Sequence, residues 1–123
     1  MNNDRYILYI EDERSMFELV RQALKLSGYE VKPATSGKQG LAMLKKRKPD
    51  LLLLDLMMPG INGWDIYRKI KSNKLLADIP VIALSARPPD DNGYIIKDLP
   101  PVDGYLTKPF EMDELVSSVE KLL

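Results

Sequence analysis

Five polar side chains stand where apolar runs end. Glu11 and Asp12 follow Tyr6-Ile7-Leu8-Tyr9-Ile10. Asp55 follows four leucines, Ser85 follows Val81-Ile82-Ala83-Leu84, and Lys108 follows Tyr105-Leu106-Thr107. If these runs are neighbouring parallel strands, their carboxyl ends deliver three carboxylates, a hydroxyl and an ammonium to one crevice. Carboxylates crowded together repel; two like charges about 4 Å apart cost on the order of 4 kcal/mol at an effective dielectric of about 20. Either one acid takes up a proton or a cation sits between them. The chain has no His and no Cys, so the ligands are oxygens and the fitting ion is a hard one, Mg²⁺ above all. A nucleophilic carboxylate, a metal to neutralise charge, and Lys and Ser to hold oxygens are the equipment for gripping a phosphoryl group.

These residues need a scaffold. Leu51-Leu52-Leu53-Leu54, preceded by Pro49-Asp50, reads as a strand buried on both faces, at the centre of a parallel sheet. The first strand is Tyr6–Ile10, followed by a helix with Met16, Leu19, Val20, Ala23 and Leu24 at helical spacing, stopped by Ser27-Gly28. Residues 29–31 form a short second strand. Thr35 or Ser36 caps a second helix with Leu41 and Leu44 on its inner face. A turn at Gly60-Ile61-Asn62-Gly63 leads into a third helix, with Trp64, Tyr67, Ile70 and Leu75 facing inward. Pro80 opens a fourth strand, Val81–Ser85.

Proline pairs at 88–89 and 100–101 then leave residues 94–99 for a fourth helix of at most two turns. Residues 103–106 form a short fifth strand. In the last helix Met112, Leu115, Val116, Val119, Leu122 and Leu123 share one face. Strand and helix alternate five times, which implies an α/β doubly wound layer.

The 123 residues make one domain, 1–123. Eighteen basic and eighteen acidic residues cancel, giving no electrostatic case for nucleic acid or a membrane surface. No apolar run approaches the roughly 18 residues a membrane helix needs. The start, Met1-Asn2-Asn3-Asp4, lacks the basic region of a secretory leader. A soluble, cytoplasmic protein is expected, with no output domain after the last helix.

Taken singly, most of these residues have plainer uses. Glu11 and Asp12 suit the N-terminus of the first helix. A strand-end Ser commonly bonds to backbone, most lysines are solvated, and Tyr105 serves equally well as packing. Asp55 is the exception, because a carboxylate closing a buried strand is costly without a partner.

Together the motifs resemble the receiver domain of two-component response regulators. The matching stretches are Ile10-Glu11-Asp12-Glu13, Leu54-Asp55-Leu56-Met57-Met58-Pro59-Gly60-Ile61-Asn62-Gly63, Ala83-Leu84-Ser85-Ala86 and Tyr105-Leu106-Thr107-Lys108-Pro109-Phe110. The likeness implies a flavodoxin-like five-stranded parallel sheet in the order 2-1-3-4-5, with helices on both faces. It implies that Asp55 accepts a phosphoryl group from a sensor histidine kinase or a histidine phosphotransfer protein. Asp12, Asp55 and the backbone carbonyl of Met57 would bind Mg²⁺, with Glu11 helping through water. Ser85 would hydrogen-bond the phosphoryl group and Lys108 would pair with it. Tyr105 would turn inward when Ser85 moves. Pro109 would carry a cis bond, and the small Ala86 would leave the site open. The output would be a downstream protein or an output domain elsewhere, without direct binding to nucleic acid or membrane.

Other functions fit less well. An aspartyl-phosphate phosphatase uses a second acid two residues after the first, where this chain has Met57. A flavin-binding module needs a Ser/Thr/Gly-rich loop after the first strand, where this chain has Glu11-Asp12-Glu13. A degenerate receiver acting as a constitutive binding module is the alternative, although every charged site residue is present. The departure from the family pattern is the proline-flanked segment 87–101, which includes Arg87, two residues past Ser85. A short or irregular fourth helix is expected there.

Overall fold

The computed structural model describes residues 5–58, 61–86 and 101–123. Strands β1 (Tyr6–Ile10), β2 (Glu30–Ala34), β3 (Leu51–Asp55), β6 (Val81–Ser85) and β7 (Gly104–Thr107) form one sheet, every pair parallel, in the order β2-β1-β3-β6-β7. Numbered among themselves, these five strands have the expected order 2-1-3-4-5. A two-stranded antiparallel ribbon, β4 (Met57–Met58) with β5 (Ile61–Asn62), leaves the carboxyl end of β3. Helices α1 (Arg14–Leu26), α2 (Gly37–Lys46), α3 (Gly63–Lys71) and α4 (Met112–Leu122) complete the described elements. The expected helix within 94–99, and Arg87, lie outside the described residues.

The period of two along each strand divides the core. Tyr6, Leu8, Ile10, Leu52, Leu54, Val81 and Ala83 pack with Leu44 of α2 and with Ile66, Tyr67 and Ile70 of α3. Ile7, Tyr9, Leu51, Leu53, Ile82 and Leu84 pack with Phe17, Val20 and Leu24 of α1 and with Leu115 and Val119 of α4. β3 is fully buried, as a strand covered on both faces requires.

Some boundaries differ from expectation. β2 runs on to Ala34 through Lys32-Pro33, because an edge strand tolerates both a charge and a proline. Leu19 is 55% exposed and Phe17 takes the inward place on α1. α3 ends at Lys71, so Leu75 is 78% exposed and Leu76, beyond the helix, enters the core instead. Trp64 only flanks that core, and Ile66 fills it. Ser36 is the residue that caps α2, accepting from the Gln39 N–H at 3.1 Å. Gly28, at φ 93°, closes α1; the N–H groups of Ser27 and Gly28 satisfy the carbonyls of Leu24 and Lys25.

Candidate functional site

β1 and β3 are paired so that Ile10 lies beside Leu54. That register sets Glu11 and Asp12 next to Asp55. One carboxylate oxygen from each lies within 4.8 Å of the other two. Glu11 and Asp55 are both only 2% exposed, while Asp12 faces solvent. β7 ends alongside β6, with Ser85 opposite Thr107. The Lys108 N–H then donates to the Ser85 carbonyl at 2.7 Å, which starts the loop carrying the lysine across the site. The Lys108–Pro109 bond is cis.

Lys108 Nζ reaches Glu11 Oε1 and Asp55 Oδ2, each at 3.0 Å. Burial alone would lower the pKa of this ammonium. Hydrogen bonds and charge from Asp55 and Glu11 outweigh that and hold it above its ordinary value. Asp55 Oδ1 accepts the Met57 N–H at 2.9 Å. The loop beyond is fastened to the sheet by Leu56 N–H to the Leu84 carbonyl at 2.9 Å and by Gly63 N–H to the Leu56 carbonyl at 3.2 Å. Asn62 then caps α3 by accepting from the Trp64 N–H.

Ser85 is buried at the end of β6 and Tyr105 is half-buried. Tyr105 pairs in register with Ala83 and packs against the α2/α3 side of the core, the side that Val81 and Ala83 occupy. Period two puts Ser85 on that same side. Ala86 is exposed.

Glu11, Asp12, Asp55, Ser85 and Lys108 thus meet at one edge of the sheet. Glu11 also serves the entrance to the first helix, where its Oε2 accepts the Glu13 N–H at 3.3 Å, just ahead of α1. Three groups escaped the sequence reading. Tyr9 donates its hydroxyl to Glu11 Oε1 at 2.8 Å. Period two along β1 was the signal that could have found it, because it sets residues 9 and 11 on one side. Asp50 and Asp103 act at the opposite edge, accepting from the N–H groups of Tyr6 at 2.7 Å and Val81 at 2.8 Å. Each stands just before one strand and secures the first residue of its neighbour.

The donor set suits a hard cation. All three acids offer oxygen, and the pocket already accommodates one positive charge, the Lys108 ammonium.

A fold and site of this kind define a class, and comparison with known proteins agrees. The family profile of the response regulator receiver domain matches residues 7–120. The chain belongs to that family. It is 41% identical over 117 residues to the phosphate regulon transcriptional regulatory protein PhoB of Pseudomonas aeruginosa, covering 95% of this chain and 51% of that protein. It is 36% identical over 121 residues to the DNA-binding dual master transcriptional regulator RpaA of Synechocystis, covering 95% of this chain and 48% of that protein. The chain therefore spans about half the length of these relatives. Among solved structures, the Francisella response regulator 1452 receiver domain superposes with a TM-score of 0.84 at 28% identity, covering 97% of this chain and 96% of that one. The Vibrio cholerae chemotaxis protein CheY4 gives 0.88 at 24% identity, covering 98% and 100%, a likeness of fold. Among the described residues no helix is long and apolar enough to cross a membrane.

Proposed function

We propose that residues 1–123 act as a phosphorylation-dependent signalling switch, with Asp55 accepting a phosphoryl group from a phosphohistidine on a sensor kinase or phosphotransfer protein. The observation that carries this reading is the single ammonium of Lys108 bridging two buried carboxylates beside a third acid. An Asp55 oxygen attacks phosphorus, the P–N bond breaks, and its electron pair returns to the imidazole. Asp12, Asp55 and the Met57 carbonyl would hold Mg²⁺, with Glu11 assisting beside them. When bound, the ion offsets the charge gathering on the phosphoryl oxygens.

Lys108 pairs with one phosphoryl oxygen and Ser85 donates its hydroxyl to another. The modification adds a charge of about −1.5 to −2. Ser85 satisfies the new oxygen by moving toward it. Tyr105 lies on the same side of the neighbouring strand, opposite the small Ala83, and fills the space released. The protein supports its own phosphorylation and dephosphorylation, acts in the cytoplasm, and passes the change to a downstream protein or to an output domain outside these residues.

Intact mass after incubation with acetyl phosphate and Mg²⁺ tests this. One added phosphoryl mass is expected, absent in Asp55→Asn and in EDTA. A folded protein that gains no mass is instead a constitutive binding module.

A further inference from the structure

Tyr9 lies wholly inside the protein, on the α1/α4 side of β1, with its ring 6.1 Å from that of Phe17. Packing alone gives that position no use for a hydroxyl; a phenylalanine would fill the same space. The hydroxyl ends on Glu11 Oε1 at 2.8 Å, the oxygen that also receives Lys108. With the Glu13 N–H on Oε2, three donors hold one carboxylate. Glutamate has one more rotatable bond than aspartate, and repulsion from Asp12 and Asp55 favours its swinging away. A rigid donor two residues back on the same side of the strand opposes that swing.

We propose that Tyr9 is a positioning residue for the cation site: its hydroxyl keeps Glu11 inside the acid cluster before the ion arrives. The inference rests on reading Glu11, Asp12 and Asp55 as the Mg²⁺ site. Groups that orient a metal's carboxylates are typically worth about 10–100-fold in affinity. Because Glu11 assists beside the other ligands, the lower end applies, about tenfold.

The test is calorimetric titration with MgCl₂ of the wild type, Tyr9→Phe, Phe17→Leu, Glu11→Ala and the Tyr9→Phe/Glu11→Ala double variant. Near-ultraviolet circular dichroism verifies the fold of each. Tyr9→Phe is expected to bind Mg²⁺ about tenfold more weakly, and Phe17→Leu, which disturbs the ring but not the hydroxyl, within about twofold of wild type. In the Glu11→Ala background the Tyr9 change should cost nothing further. In the wild type, the Tyr9 ring ¹³Cζ resonance should follow the same titration midpoint, a readout that does not depend on any variant folding. Wild-type binding with Tyr9→Phe unchanged or tighter overturns the proposal, as does a ¹³Cζ resonance that stays still, or an equal loss in Phe17→Leu. A wild type that binds no Mg²⁺ overturns the site reading itself, and this inference with it.

Discussion

Lys108 bridges two buried acids with one ammonium, so its removal leaves Glu11 and Asp55 facing each other without that cation. Breaking a buried pair is worth roughly 3–5 kcal/mol. The Lys108 side chain keeps 20% of its exposure, so Lys108→Met should cost up to about 3 kcal/mol in EDTA. Urea unfolding measures this, and Mg²⁺ should restore more stability to the variant than it adds to the wild type, because the ion replaces the lost charge. An equal Mg²⁺ effect in both proteins would show that Lys108 and the ion do not share the site. These charged residues were legible because each ends an apolar run, and a strand end is readable. Asp50 and Asp103 were not: Asp50 reads as part of a helix break and Asp103 as the first residue of the last strand, which instead runs Gly104–Thr107, until the neighbouring strand's first N–H is located on each. Asp50→Ala and Asp103→Ala each strip the acceptor from a strand-end N–H. Each should lose about 1–3 kcal/mol in urea unfolding while still gaining phosphoryl mass, and Asn at either position, which keeps an acceptor, should lose less.

At the scale of elements, β1, β3 and β6 stand in the sequence with their observed limits, because a strand buried on both faces is an unbroken apolar run. β2 is half-exposed at the sheet edge, so its Lys32 and Pro33 conceal its last residues. The end of α3 was concealed by Leu75, whose spacing suits the helix although the chain has already turned. The loop after Asp55 depends on Gly63, the first residue of α3. A Cβ there would lie 2.6 Å from the Leu56 Cα and 2.9 Å from the Asp55 carbonyl oxygen. Both are backbone atoms, which yield only if the ribbon shifts. Gly63→Ala should therefore displace the Leu56–Met57 backbone, weaken the Met57 N–H bond to Asp55, and slow phosphorylation by acetyl phosphate more than it lowers stability. Gly40→Ala is the contrasting case: its Cβ would meet the end of the Ile10 side chain, which can rotate aside, and no backbone atom. It should lower the unfolding midpoint and leave the phosphorylation rate of the folded protein near wild type.

Across the whole molecule, the sheet separates two cores, and groups with raised pKa values lie on both sides of it. Tyr9 is held up by burial first and then by the charge and hydrogen bond of Glu11. Tyr67, whose hydroxyl donates to the Pro101 carbonyl at 3.0 Å and so links α3 to the approach to β7, is pushed up to about 12 by burial and by Asp103. Lys108 is raised by the two carboxylates it bridges. In each case the folded protein keeps its proton to higher pH than the unfolded chain. Their stabilising contribution is complete below the unfolded values, near pH 10 for tyrosine, and is lost as pH rises toward the folded ones. Every group that titrates only in the unfolded chain removes up to about 1.4 kcal/mol per pH unit. Urea unfolding should therefore show stability falling from near pH 10 upward, with the Tyr67 share exhausted at about 12. Tyr67→Phe should flatten that decline by one proton's slope while lowering the plateau below pH 10, because the Pro101 carbonyl loses this donor. An unchanged slope in the variant would mean that Tyr67 ionises alike in the folded and unfolded chains, and the decline would then rest on other groups, Lys108, Tyr9 and Tyr6 among them.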